Sequence, residues 1–143
     1  VSVRLGRRGE ERRMRVLFVD DDAMNRRVVR DMLQLAGVTL EEAHDGESGL
    51  QMVEAGEYSV ILMDLRMPGM DGLTAIKHIR ARSDAKAKLP IIVVTADTSL
   101  NIRETCLAGG ADDVMMKPVA MKTLFKTMGQ VVAMHAKRQA VVD

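Results

Sequence analysis

Two hydrophobic periods alternate along the chain. Short apolar runs rich in β-branched residues occupy residues 14–20 (MRVLFVD), 38–44 (VTLEEAH), 58–64 (YSVILMD), 89–96 (LPIIVVTA) and 111–117 (ADDVMMK). The first, third and fourth runs are almost continuously apolar, as strands covered on both faces are. The second run alternates, which predicts an edge strand. Between the runs, apolar positions recur at helical spacing. Residues 23–36 set Met24, Val28, Val29, Met32, Leu33 and Ala36 on one face, with Gly37 placed to stop the helix. Residues 47–55 carry Leu50, Met52 and Val53; residues 72–82 carry Leu73, Ile76 and Ile79. Residues 98–108 carry Leu100, Ile102, Cys106 and Leu107; residues 119–135 carry Met121, Leu124, Phe125, Met128, Val131 and Val132. Strand and helix thus alternate five times with short connections. That order predicts an α/β fold, a doubly wound five-stranded parallel sheet with helices on both faces.

Composition adjusts this picture in one respect. Aromatics make up only 2% of the chain, so the core must be built from Val, Ile, Leu, Ala and the 12 Met. Met115, Met116, Met121, Met128 and Met134 are accordingly expected in the core for the most part. The 143 residues fit one domain.

Charge divides the chain. Residues 1–13 hold five Arg against Glu10 and Glu11 and lack apolar periodicity, so they read as a basic flexible leader or linker. Residues 14–135 hold 14 basic and 17 acidic side chains and form the expected domain, leaving 136–143 as a C-terminal tail. A net charge of +1 favours no polyanionic partner, and no direct contact with nucleic acid is expected. The chain begins at Val, which reads as a segment of a longer protein. Cys106 is the one cysteine, so no intrachain disulfide can form and a reducing compartment is expected. No apolar run is long enough to insert in a membrane. The expected location is cytoplasmic.

The stretch LFVDDDAM, residues 17–24, places Asp20, Asp21 and Asp22 directly after a buried strand. Two carboxylates about 5 Å apart at an effective dielectric of about 20 repel by roughly 3 kcal/mol. Position explains the clustering. Asp20–Asp22 end the first strand, Asp64 the third, Thr95 the fourth and Lys117 the fifth, and ligands of open α/β sheets bind outside the carboxyl ends of the strands. Asp20, Asp21 and Asp64 form a hard, oxygen-rich pocket suited to Mg²⁺ or Mn²⁺. Lys117 adds an ammonium and Thr95 a hydroxyl. Together they can hold the oxygens of a phosphoryl group, with a carboxylate as nucleophile. Asp22, just ahead of the first helix, reads as an N-cap rather than a ligand. His44, His78 and His135 lie in no kinase-like motif and read as surface or packing residues. Cys106 reads as a packed small side chain.

These segments resemble the receiver domain of two-component response regulators. VLFVDDDAMNRRVV is similar to that family's first strand, acidic pair and first helix; VILMDLRMPGMDG to its phosphorylation segment; IIVVTA and GGADDVMMKP to its switch strand and Lys-Pro loop. The resemblance implies a flavodoxin-like (βα)5 fold with strand order 2-1-3-4-5. It implies that Asp64 is the phosphoacceptor, that Asp21 holds Mg²⁺ directly and Asp20 directly or through water, and that Arg66 adds its backbone carbonyl to the metal. Thr95 would reorient towards the phosphoryl group, Lys117 would contact a phosphoryl oxygen, and the Lys117–Pro118 bond would be cis. The implied donor is a histidine kinase or a histidine phosphotransfer protein. The domain would be no turnover enzyme, although it would assist its own phosphorylation and dephosphorylation. The segment DAMNRRVV resembles the receivers of hybrid kinases.

The family often has an aromatic residue where this chain has Val114, so its Thr–aromatic switch does not carry over. Output, and a homodimer, would still use the face of helix 4, strand 5 and helix 5. In the resembling family, side chains two residues past the phosphoacceptor and two past the switch Thr flank the path of the attacking water. Here they are Arg66 and Asp97, expected to form an ion pair across the mouth of the pocket. Two other readings remain. A phosphatase of the haloacid dehalogenase type fits Asp20-x-Asp22 superficially, but Met24 stands where its Thr should be. A pseudo-receiver would only bind protein.

Overall fold

The computed structural model describes residues 4, 5 and 12–142. Five strands, β1 (Arg15–Val19), β2 (Thr39–Ala43), β3 (Val60–Asp64), β4 (Ile91–Thr95) and β5 (Asp113–Met116), form one parallel sheet in the order β2-β1-β3-β4-β5. The helices are α1 (Ala23–Leu35), α2 (Gly46–Ala55), α3 (Gly72–Arg80), α4 (Ile102–Ala108) and α5 (Met121–Val142). This is the expected flavodoxin-like architecture, with the alternating run 38–44 at one edge.

Successive side chains of each inner strand feed opposite layers. Leu17, Val19, Ile61, Met63, Ile91 and Val93 meet Val53 of α2, Ala75, Ile76 and Ile79 of α3, and Cys106 of α4. Val16, Phe18, Val60, Leu62, Ile92 and Val94 meet Val29 and Leu33 of α1 and Leu124, Met128 and Val131 of α5. Burial on both faces explains the unbroken apolar runs of β1, β3 and β4. Three helices begin with an Asp whose side chain accepts an orphan N–H: Asp22 from Met24, Asp45 from Ser48 and Asp71 from Thr74. Asp22 is the N-cap its position predicts.

Several boundaries and faces differ from expectation. The helix expected from residue 98 begins at Ile102, because Asp97 takes the Ser99 N–H into a side-chain turn and Asn101 sits at φ 66°. Leu100 therefore lies ahead of α4 and is 90% exposed. The last helix runs to Val142 rather than stopping at 135, so residues 136–142 continue α5 instead of forming a separate tail. Met24 and Val28 do not join the core, since Val29 and Leu33 face the sheet and Val28 lies about 100° round the helix. Of the five methionines expected mostly inside, Met115 and Met128 are buried, whereas Met116, Met121 and Met134 are exposed. An unexpected 3-10 turn spans Ala85–Lys88. Arg4–Leu5 pairs antiparallel with Arg12–Arg13 outside the main sheet; residues 1–3 and 6–11 of the expected flexible leader lie outside the described residues.

Candidate functional site

The sheet register sets the site. Val19 pairs with Met63, so Asp20 and Asp64 step off adjacent strands side by side. Thr95 pairs with Met116, which brings Lys117 to the same rim on the next strand pair. Asp20, Asp64 and Thr95 are buried, and Asp21 is exposed at the opening. α3 packs directly under Asp64: a Cβ at Gly72 would lie 2.2 Å from the Asp64 carbonyl oxygen, so only glycine fits there. This explains the last glycine of the MPGMDG segment.

Asp20, Asp21 and Asp64 each offer a carboxylate oxygen, and these oxygens lie within 4.8 Å of one another. Lys117 Nζ reaches across them, 2.9 Å from Asp20 Oδ2 and 3.3 Å from Asp64 Oδ1. Asp20 Oδ1 accepts the Asp22 N–H at 2.8 Å, and Asn25 Nδ2 lies 3.4 Å from Oδ2. Burial, and then the Asp20 carboxylate, push the Asp64 carboxyl up to about 6, against the pull of Lys117. For Lys117, burial favours the neutral amine, but Asp20 and Asp64 outweigh it and raise its pKa. Three carboxylates with one ammonium leave a surplus of two negative charges. An all-oxygen donor set with that surplus fits a hard divalent cation.

Thr95 and Arg66 stand slightly apart from this cluster. The Thr95 hydroxyl accepts the Asp97 N–H at 3.0 Å. The expected ion pair between Arg66 and Asp97 is present, with Arg66 71% exposed and Asp97 10%. The Ser99 hydroxyl and the Arg66 guanidinium hold the Asp97 carboxyl down to about 2. The Lys117–Pro118 peptide is cis. Val114 packs half-buried against the α2–α3–α4 core layer. Cys106 is buried, and His44 and His78 are exposed. Asn25 escaped the sequence reading. Its position five residues past Asp20, within the first turn of α1, was the available signal.

Comparison with known proteins agrees with this geometry. The sequence model of the family described as response regulator receiver domain matches residues 16–129. The response regulator MprA of Mycobacterium ulcerans is 38% identical over 115 residues, which cover 80% of this chain and 48% of that protein. The chain thus spans about half the length of the curated relatives it matches. Among solved structures, the receiver domain of sensor histidine kinase PA1611 from Pseudomonas aeruginosa, with a magnesium ion coordinated in its active site cleft, superposes with a TM-score of 0.77 at 32% identity, covering 84% of this chain and 98% of that one. The chemotaxis protein CheY4 of Vibrio cholerae gives a TM-score of 0.76 at 35% identity, covering 82% and 98%. No helix among the described residues is long and apolar enough to cross a membrane.

Proposed function

The chain belongs to the response regulator receiver-domain family, the phosphoacceptor module of two-component signalling, and on that premise we propose that Asp64 is the phosphoacceptor and that Asp20, Asp21 and Asp64 hold one Mg²⁺ or Mn²⁺. The observation that carries this reading is the convergence of three carboxylates and one lysine at the carboxyl ends of β1, β3 and β5.

The chemistry follows from these groups. A carboxylate oxygen of Asp64 attacks the phosphorus of a phosphohistidine on a histidine kinase or a histidine phosphotransfer protein. The phosphorus–oxygen bond forms as the phosphorus–nitrogen bond breaks, and its electron pair stays on the departing imidazole. Lys117 leaves its bridge between Asp20 and Asp64 to neutralise a phosphoryl oxygen. When bound, the cation supplies positive charge for the remaining phosphoryl oxygens, with the Arg66 backbone carbonyl as a further ligand. Thr95 exchanges the Asp97 N–H for a phosphoryl oxygen. In this way the domain assists its own phosphorylation and, with water as nucleophile, its own dephosphorylation.

With Val114 in place of an aromatic partner, the Thr95 movement is read out by side chains of the α4–β5–α5 face. Met116 and Met121 are exposed there, and a homodimer or a protein partner would bind them. The receiver unit runs from residue 14 through the end of α5 at Val142, in a cytoplasmic protein that is either a stand-alone regulator or, as DAMNRRVV favours, a hybrid kinase, and the basic leader serves as a linker.

The test is labelling with radioactive acetyl phosphate and Mg²⁺. The wild type should approach one phosphoryl group per chain, with no uptake when a chelator is present from the start, and Asp64→Asn should take none. Equal labelling of Asp64→Asn would refute the acceptor, and an unlabelled wild type would point to a pseudo-receiver.

A further inference from the structure

Asp20 lies one residue beyond the end of β1, yet both of its peptide groups are held, one directly by the edge strand β2 and the other by Arg26 of α1, which the next residue of β2 positions. Its N–H donates to the Ala43 carbonyl at 3.0 Å. Its carbonyl oxygen, which belongs to the peptide leading into Asp21, accepts Arg26 Nη1 at 2.6 Å. Arg26 is aimed in turn by Glu42, whose Oε1 accepts its Nε at 3.1 Å. Arg30 holds Glu42 from the other side through paired bonds of 2.7 and 3.0 Å. Arg26 and Glu42 are only 17% and 24% exposed, so this chain of contacts is largely shielded from water.

A peptide unit is planar and moves as one piece. With the planes on both sides of Asp20 held, its φ and ψ are set, and with them the direction of its own side chain and the position of the Asp21 Cα. The separation of the two carboxylates therefore depends on a clamp that runs from β2 through α1.

We propose that Arg26 and Glu42 are positioning residues of the acidic pocket, fixing the spacing of Asp20 and Asp21 and so the affinity and size preference for a divalent cation, without touching the cation. The inference rests on the reading of Asp20 and Asp21 as cation ligands. Arg26 also brings positive charge near the pocket, which by itself would weaken cation binding. Removing it for charge reasons alone would tighten binding, whereas loss of the clamp loosens it. The two effects have opposite signs.

The experiment is calorimetric titration of the phosphate-free protein with Mg²⁺ and, separately, Ca²⁺. The variants are Arg26→Lys, which keeps the charge but not the forked donor geometry, Arg26→Gln and Glu42→Gln. Disturbed partners of ligating groups typically cost about 10–100-fold in metal affinity. Acting through the backbone, Arg26→Lys and Arg26→Gln should raise the Mg²⁺ Kd by about tenfold, at the low end of that range. Glu42→Gln keeps an acceptor and should raise it by about threefold. The preference for Mg²⁺ over the larger Ca²⁺ should narrow in the same order. A general loss of stability would not move that ratio, and circular dichroism confirms that each variant is folded. A Mg²⁺ Kd within about twofold of wild type in all three variants, or tighter binding in Arg26→Gln, overturns the clamp while leaving the pocket intact. A wild type that binds neither ion overturns the reading of the pocket, and the clamp with it.

Discussion

The two ends of the sheet handle buried charge in opposite ways. At the amino ends of β4 and β5, the half-buried guanidinium of Arg80 donates to the carbonyls of Gly110, Ala87 and Leu89 at 2.7–2.9 Å and to Asp112 Oδ2 at 3.0 Å. Asp112 also accepts the Ile91 N–H at 2.9 Å, and the more exposed Arg138 lies 3.6 Å from its Oδ1, so the carboxylate, its cations and the free backbone groups of two loops satisfy one another. At the carboxyl ends, Lys117 bridges Asp20 and Asp64, with the Asp21 carboxylate beside them, and no second cation is paired with the three among the described residues. The first arrangement is saturated and ties α3 to the starts of two strands. The second keeps a negative surplus in a partly buried pocket, a state that favours folding less than it favours an incoming cation. Burial of charge does not separate structure from function here; the balance of charge does.

The largest expected effect tests the saturated end. Arg80→Met would leave three carbonyls without the guanidinium donor and Asp112 with only the Ile91 N–H and the more distant Arg138. Removing one partner of such a buried pair typically costs about 3–5 kcal/mol, and urea unfolding should register a loss of about 3 kcal/mol. Mg²⁺ binding at the opposite end should be unchanged. A neutral substitution would break the comparison.

Asp64→Asn should act in the other direction. Its carboxyl is raised to about 6 in the folded protein from an ordinary value of 3.8. Below the ordinary value both states are protonated and nothing is lost. As pH rises through the folded pKa, the folded state must give up a proton that it holds more tightly than the unfolded chain, so stability falls between about pH 4 and 6. Metal-free Asp64→Asn should escape this fall and exceed the wild type at pH 8 by up to about 3 kcal/mol. Parallel stability–pH curves for the two proteins would show that the pocket carries no surplus.

Magnesium should remove part of the same penalty. At ten times its Kd the ion should stabilise the wild type by about 1.4 kcal/mol through mass action. Asp21→Ala should abolish most of the accompanying rise in melting temperature. A rise of equal size in both proteins would move the cation site away from the acidic cluster.

The smallest effect on stability concerns the mouth of the pocket. The Arg66 end of the Arg66–Asp97 pair is well exposed, and a pair with so solvated a guanidinium contributes little to stability. Hydrolysis of a phosphoryl group needs one aligned water, however, and the family resemblance leads us to expect side chains at these two positions to flank its approach. Arg66→Ala and Asp97→Ala should each change the dephosphorylation rate with melting temperatures barely altered, and the double variant should not show the sum of the two changes. Additive or unchanged rates would make the pair a surface contact only.

What the chain determines locally was legible in it. Unbroken apolar runs marked β1, β3 and β4, the alternating run marked the edge strand β2, and the carboxyl-end placement of Asp20, Asp64, Thr95 and Lys117 pointed to one rim. These properties arise within a few consecutive residues, through side-chain period and capping chemistry. Docking between distant segments decided the rest. Val28 looks as apolar as Val29 in the sequence, but only Val29 faces the sheet once α1 is set against it. Nothing in the local sequence singles out Arg26, Arg30 or Arg80. Their partners Glu42 and Asp112 stand 12–32 residues away, and neither periodicity nor composition encodes such distances. Local sequence set which elements form and which chemistry their ends carry. Tertiary structure decided which charges are satisfied, because a hydrogen bond requires a distance and an angle that only the assembled sheet and helices provide.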